Sequence, residues 1–290
     1  MKVRTSDRTV DLMIHLFIGM ALLLCLIPFL HILSISLSSN RAIMSGEVTV
    51  FPIEISMEAY KKVLQDISML KSMSFTVMLT VIYTVSCMVM SIIAAYPLTK
   101  SYLRGKKFFM VLIIITMFFS GGIIPEYILI KELHLVNSMW ALILPLLISP
   151  FNLIILINFF QSIPSSLHES AEIDGASHFR VLWQIVIPLS MPVIATLSLF
   201  YAVNRWNGFM DSLFYITDPK MYPLQLKLYQ LIMNNMINDL MQLEGTQVVQ
   251  FLPESLKAAS VMFATIPILV VYPWLQRYFV SGIMLGAVKG

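Results

Sequence analysis

His168, Glu169, Asp174 and His178 lie close together in one polar stretch. Carboxylates beside histidines could move protons or hold a metal ion. Neither use is completed, because neither histidine joins a nucleophile or metal constellation. At membrane depth there is no Ser/His, paired-Asp or His-Glu-x-x-His site, so an enzyme acting inside a bilayer finds no support. A Gly-x-x-x-x-Gly-Lys-Ser/Thr loop that would cradle phosphates is also missing.

A second polar set lies in or beside apolar runs: Asn152, Asn158, Asn204, Arg205, Trp206, Asn207 and Asp211. Polar groups there are expensive and invite a functional reading. Trp206 offers an aromatic face for stacking, and Asn152, Asn204 and Asn207 offer amides that could bond polar groups of a solute. Arg205 and Asp211 could instead pair or snorkel at the outer boundary.

The elements that carry these residues are set by composition. Of 290 residues, 58% are apolar and 12% charged, and the mean hydropathy is +0.82. Such a chain belongs in a bilayer. A net charge of +3, with its basic residues in short loops, gives nucleic-acid binding no support. Cys25 and Cys87 sit in apolar runs as small hydrophobes, and the 21 methionines read as adaptable packing.

Runs free of charged residues, at 12–37, 72–99, 108–125, 138–163, 181–204 and 258–276, predict six membrane spans at about 12–37, 72–99, 108–129, 138–161, 187–212 and 257–280. Each can cover the ~30 Å of hydrocarbon as a helix. Period-2 alternation is missing, and backbone groups cannot stay unpaired in lipid, so the expected fold is an all-α membrane protein in one domain, 1–290. The first run is too long for a signal peptide and is expected to be retained. Lys2, Arg4, Arg8 and the loop Lys100, Arg104, Lys106, Lys107 predict cytoplasmic termini. Prolines in the spans, among them Pro145, Pro188, Pro192 and Pro267, predict local bends. An amphipathic helix is expected from Leu224 to Met241 on the outer side.

The loop 164–186, on the cytoplasmic side, reads as two short helices. Pro164 and the box Ser166-x-x-Glu169 are expected to start the first, and Gly175 to end it. Ser177 is expected to cap the second, which bears Phe179, Leu182, Trp183 and Val186.

Glu169-Ser170-Ala171-x-x-Asp174-Gly175-Ala176, followed by Ile187-Pro188-Leu189, resembles the permease signature of bacterial ABC importers. Ser170 replaces the usual alanine, and Ile187 before Pro188 replaces the commoner leucine. Three further stretches resemble the carbohydrate-uptake permeases similar to the second maltose permease subunit. They are Phe119-Ser120-Gly121-Gly122-Ile123-Ile124-Pro125, Phe200-Tyr201-Ala202-Val203-x-x-Trp206-Asn207 and Leu275-Gln276-Arg277-Tyr278-Phe279-Val280-x-Gly282. The tail Gly286-Ala287-Val288-Lys289-Gly290 resembles that group too. Pro253-Glu254-Ser255-Leu256-Lys257-Ala258-Ala259 points to a Gram-positive branch associated with complex or pectin-derived oligosaccharides.

The resemblance implies a type I ABC importer permease, multi-pass in the bacterial cytoplasmic membrane, that hydrolyses nothing itself. Glu169, Ala171, Asp174 and Gly175 would hold the coupling helix and its turn, and Leu167, Ala171 and Phe179 would touch an ATPase. Lys289 and Gly290, in the tail 281–290, would also reach that ATPase. Implied partners are an ABC ATPase homodimer that binds ATP and Mg, a second homologous permease, an extracytoplasmic solute-binding protein, a sugar substrate and membrane lipid. No cofactor is expected on this chain. Peptides or polyamines are alternative solutes, since the coupling loop alone is shared among them. An ion-coupled secondary transporter would need charges deep in the bundle, and the uncharged runs argue against it.

Overall fold

A computed structural model describes residues 5–243 and 253–287. Among them every regular element is helical: α1 (Thr5–Leu37), α2 (Asn40–Met44), α3 (Glu58–Gln65), α4 (Ile67–Thr99), α5 (Lys106–Phe118), α6 (Ile123–Glu132), α7 (Pro150–Ser162), α8 (Ser165–Ile173), α9 (His178–Val181), α10 (Ile187–Leu189), α11 (Met191–Asn207), α12 (Met210–Tyr215), α13 (Leu224–Leu243) and α14 (Glu254–Ala287). The helix expected from Leu224 is α13.

Three stretches are long and apolar enough to cross a membrane as single helices: Val10–Leu37, Ile67–Thr99 and Glu254–Val271. The other three expected spans are broken. Lys106–Phe118 and Ile123–Glu132 meet at 115°, Met139–Leu146 and Pro150–Ser162 at 52°, and His178–Leu189 and Met191–Asn207 at 80°. Each break has a local cause. Gly122 adopts φ 83°, ψ 162°, a region essentially reserved for glycine. Pro150 opens α7 at a first-turn position under the Ser149 cap, where its missing N–H costs nothing. Pro188 and Pro192 flank Ser190, and each removes a donor from the helix that would otherwise continue.

The described residues fall into two compact units, one from 1–70 with 228–266 and the other from 71–227 with 267–290. The second carries the larger core. Its contributors recur at helical spacing, Leu79, Tyr83 and Cys87 on α4, Leu153, Leu156, Ile157 and Phe160 on α7, and Val193, Leu197 and Tyr201 on α11. The backbone opened by the 52° bend is satisfied from these helices. Tyr83 Oη and Cys87 Sγ donate to the Leu146 carbonyl at 3.4 and 3.5 Å. Tyr201 Oη accepts from the Ser149 N–H at 3.3 Å and meets Ser91 Oγ at 2.9 Å. This meets the requirement that irregular backbone at membrane depth be paired within protein.

In the other unit, every α1 residue from 10 to 28 is exposed, and most are apolar, a surface suited to hydrocarbon. Further along, Ser34 Oγ donates to the Val50 carbonyl at 2.5 Å and Ser38 Oγ accepts from the Ile53 N–H at 3.0 Å, which folds the 46–56 segment back along the helix end. Ala59, Val63 and Ala259 form a small core with Tyr60, Leu256 and Phe263.

Candidate coupling loop and membrane-depth polar site

The loop after α7 is built by caps. Pro164 sits at the N-cap of α8 without a side-chain bond, so α8 starts at Ser165 and Ser166 lies inside its first turn. The Ser166-x-x-Glu169 box therefore does not open the helix. Proline at 164 supplies no N–H to satisfy, and the chain turns into the helix two positions earlier than the box required.

The far end forms as the sequence predicts. Gly175 takes φ +74°, its N–H donates to the Glu172 carbonyl at 3.0 Å, and the Ala176 N–H reaches back to Ala171 at 2.9 Å. These two bonds define a Schellman motif, which needs a left-handed residue at the glycine position. Ser177 then caps α9, its Oγ accepting from the Arg180 N–H at 3.4 Å. Residues Leu182–Val186 form a π turn in which the Ile187 N–H reaches the Leu182 carbonyl. The wider turn leads into Pro188.

Burial sorts the residues expected to couple. Ala171 is 8% exposed and belongs to the main core, so its methyl holds α8 down. Glu169 and Asp174 are exposed, Asp174 as the C-cap of α8. Leu167 is 41% and Phe179 73% exposed, joined by Ile173 at 86% and Trp183 at 64%. Phe179 and Trp183 stack with ring centroids 6.4 Å apart and planes 7° apart. Ile173 was not singled out by sequence reasoning, and Trp183 was read only as a helix residue; their spacing from the glycine turn gave no sign of outward orientation. Below the loop, Ala171, Asp174, Ala176, Arg180, Gln184 and Ile185 line a cleft of about 240 Å³.

His168 is half-buried, and its Nδ1 has no hydrogen-bond partner. Burial lowers its pKa from the usual histidine value, the positive charge of Lys100 adds to this, and Glu172 opposes it. His178 Nε2 meets Tyr102 Oη at 3.5 Å. Among the described residues no group of His, Cys, Asp and Glu is arranged to hold a metal ion.

The polar residues of the apolar runs separate into buried and exposed. Asn152 is 6% exposed in the first turn of α7. Asn204 and Asn158 are exposed. Asn207 is exposed, and its Nδ2 donates to the Val203 carbonyl of its own helix at 3.0 Å. Trp206 is 8% exposed and lines a cavity of about 280 Å³ with Val77, Thr80, Val81, Leu199 and Pro267. That lining offers hydroxyl partners almost only at Thr80.

The notable member is Arg205, 3% exposed. Its Nη1 donates to Asp211 at 2.5 Å and to the Leu142 carbonyl at 3.1 Å. Its Nη2 donates to Asp211 at 2.9 Å and to the Gly208 carbonyl at 3.1 Å. Pairing was one of the readings open from sequence, beside a pathway contact and snorkelling, and the fork geometry of a guanidinium on a carboxylate is what forms. Lys289 and Gly290 lie outside the described residues.

Residues 73–284 match the family described as binding-protein-dependent transport system inner membrane component. The chain belongs to this family. Two relatives of this inner membrane component, both from Bacillus subtilis (strain 168), are each 41% identical. Protein LplC matches over 98% of this chain and 96% of its own length. The polygalacturonan/rhamnogalacturonan transport system permease protein YtcP matches over 98% of this chain and 100% of its own. Among solved structures, a chain of a bacterial ABC transporter involved in the import of the acidic polysaccharide alginate is 30% identical. It superposes with a TM-score of 0.86 over 96% of this chain and 99% of that one. The chain is thus a multi-pass membrane protein of the type I ABC permease fold.

Proposed function

We propose that this permease forms, with a second homologous permease, the pathway for an oligosaccharide, and that pectin-type acidic oligosaccharides are its substrate class. The substrate reading is supported by the relatives named for polygalacturonan/rhamnogalacturonan and for alginate. The coupling reading is carried by one observation: the Gly175-terminated loop turns Ile173, Phe179 and Trp183 into solvent. Exposed apolar side chains on a polar loop mark a protein contact.

The contact is with a separate ABC ATPase homodimer, which binds ATP and Mg. This chain carries no phosphate-loop motif, and no cofactor is proposed for it. An extracytoplasmic solute-binding protein delivers the sugar. Both termini lie in the cytoplasm, the whole chain 1–290 is one membrane domain, and the tail at Lys289 and Gly290 reaches the ATPase. Asn152, Asn204, Trp206 and Asn207 are the proposed contributors to the pathway. Asn204 and Asn207 are exposed on α11, and Asn152 and Trp206 are buried.

Capture of the tagged chain from membranes in mild detergent tests the reading. Wild type should bring down an ABC ATPase, a second permease and a solute-binding protein, and Gly175→Pro should lose the ATPase alone. The purified complex in proteoliposomes should take up labelled oligogalacturonides in preference to maltodextrins. Recovery of this chain without any ATPase would overturn the proposal.

A further inference from the structure

Arg205 is enclosed far more than a snorkelling arginine, and its bonds reach three separate stretches. They go to the Leu142 carbonyl in the turn before α7, to the Gly208 carbonyl in the break after α11, and to the Asp211 carboxylate on α12. The ring of Tyr83 on α4 lies 5.8 Å from the guanidinium. Gly208 is shaped to this arrangement. Its φ of −74° is open to any residue, so glycine stands there for room: a Cβ would lie 3.0 Å from Arg205 Nη2 and 3.2 Å from the Asn204 carbonyl.

A second fastening holds the other end of α12 to the same neighbour. The Asn137 N–H donates to the Tyr215 carbonyl at 2.9 Å. Its Oδ1 accepts from the Thr217 and Asp218 N–H groups at 2.6 and 3.1 Å. The segment 137–142 is therefore tied to both ends of α12, and Arg205 ties that pair to the end of α11.

At Gly208 the backbone leaves helical geometry, with ψ 130° between α11 and α12, and the arginine bridges that break. We propose that Arg205 and Asp211 are a clasp that makes the end of α11, α12 and the 137–142 segment one moving body. Movement of α11 in the transport cycle is then passed to the outer loops instead of being absorbed at Gly208. Both are positioning residues, and the inference rests on the permease reading above. The carboxylate at 211 has to be charged for the clasp to hold, and a buried guanidinium left without it is strongly destabilising.

The test is amide hydrogen exchange on the assembled transporter in nanodiscs, with and without ATP and vanadate. In wild type, exchange in 197–207, 210–216 and 137–142 should change together on trapping. In Gly208→Ala, which keeps both charges, and in Arg205→Met, the change in 197–207 should persist while 210–216 and 137–142 no longer follow. Without nucleotide, 210–216 should exchange at least tenfold faster in either variant, and the swap Arg205→Asp with Asp211→Arg should restore part of the protection. If 210–216 follows 197–207 in the variants, or fails to follow it in wild type, the clasp is overturned. If wild type shows no response to trapping, the permease reading fails instead, and the nucleotide-free exchange rates still decide whether the clasp exists. Should Arg205→Met not assemble, Gly208→Ala carries the comparison.

Discussion

At the scale of single residues, Gly175 bears the sharpest demand. Its φ of +74° is strained for any residue with a side chain, yet nothing lies within 4 Å of an added Cβ. Gly175→Ala should therefore cost only about 1 kcal/mol, by the left-handed penalty, and lower ATPase capture a few-fold. Gly175→Pro also deletes the N–H that bonds Glu172 and should abolish capture; pull-down of the two variants side by side checks this. His168 carries a pH dependence of definite sign. Its folded pKa is lowered, so the neutral form is favoured on folding, and its contribution is present above the ordinary value of 6.5 and lost as pH falls through the folded one. Acidification below that range must charge a half-buried ring beside Lys100. The melting temperature of the complex should fall more steeply with acid in wild type than in His168→Gln, and equal slopes would remove the role. Both residues were visible in the sequence, but Gly175 announced its task through its place after a helix. His168 did not, because burial and the nearness of Lys100 come only from packing.

At the scale of elements, caps and periodicity were legible and breaks were not. Ser177 and Gly175 gave the two helix boundaries, and the apolar spacing gave the buried faces of α7 and α11. The failure at Ser166 is instructive: two signals for one helix start competed, and the proline prevailed because its ring already sets the entry angle. Charge-free runs count residues and say nothing of direction, so 108–129 read as one span where the chain turns through 115°. The Gly121-Gly122 pair was the available sign. Gly122→Ala should cost on the order of 1 to 3 kcal/mol at that conformation, read as a drop in thermal stability of the detergent-solubilised complex. Loss of the Ser177 cap by Ser177→Ala should cost about 1 kcal/mol, seen as faster proteolysis of the 174–186 stretch.

At the scale of the whole molecule, the chain is unfinished in isolation. Its spans expose apolar faces suited to lipid and to protein alike; composition gave the membrane setting, and the missing period-2 alternation gave the all-α class. The coupling loop and the clasp at Arg205 sit on different parts of one helical frame, and neither does work without a partner that moves. One feature sets a condition on what surrounds that frame. Helix α5 has 13 residues, a rise of about 20 Å against ~30 Å of hydrocarbon. The chain then leaves helical geometry at Phe119 through Gly122, all exposed, with peptide carbonyls that a lipid tail cannot solvate. The thickness of the bilayer must therefore end early at this point, or water must reach the break through a wet seam between subunits. A water-soluble thiol reagent should label Gly121→Cys far faster than it labels Val111→Cys within α5, and equal protection of both would mean that another polypeptide seals the gap.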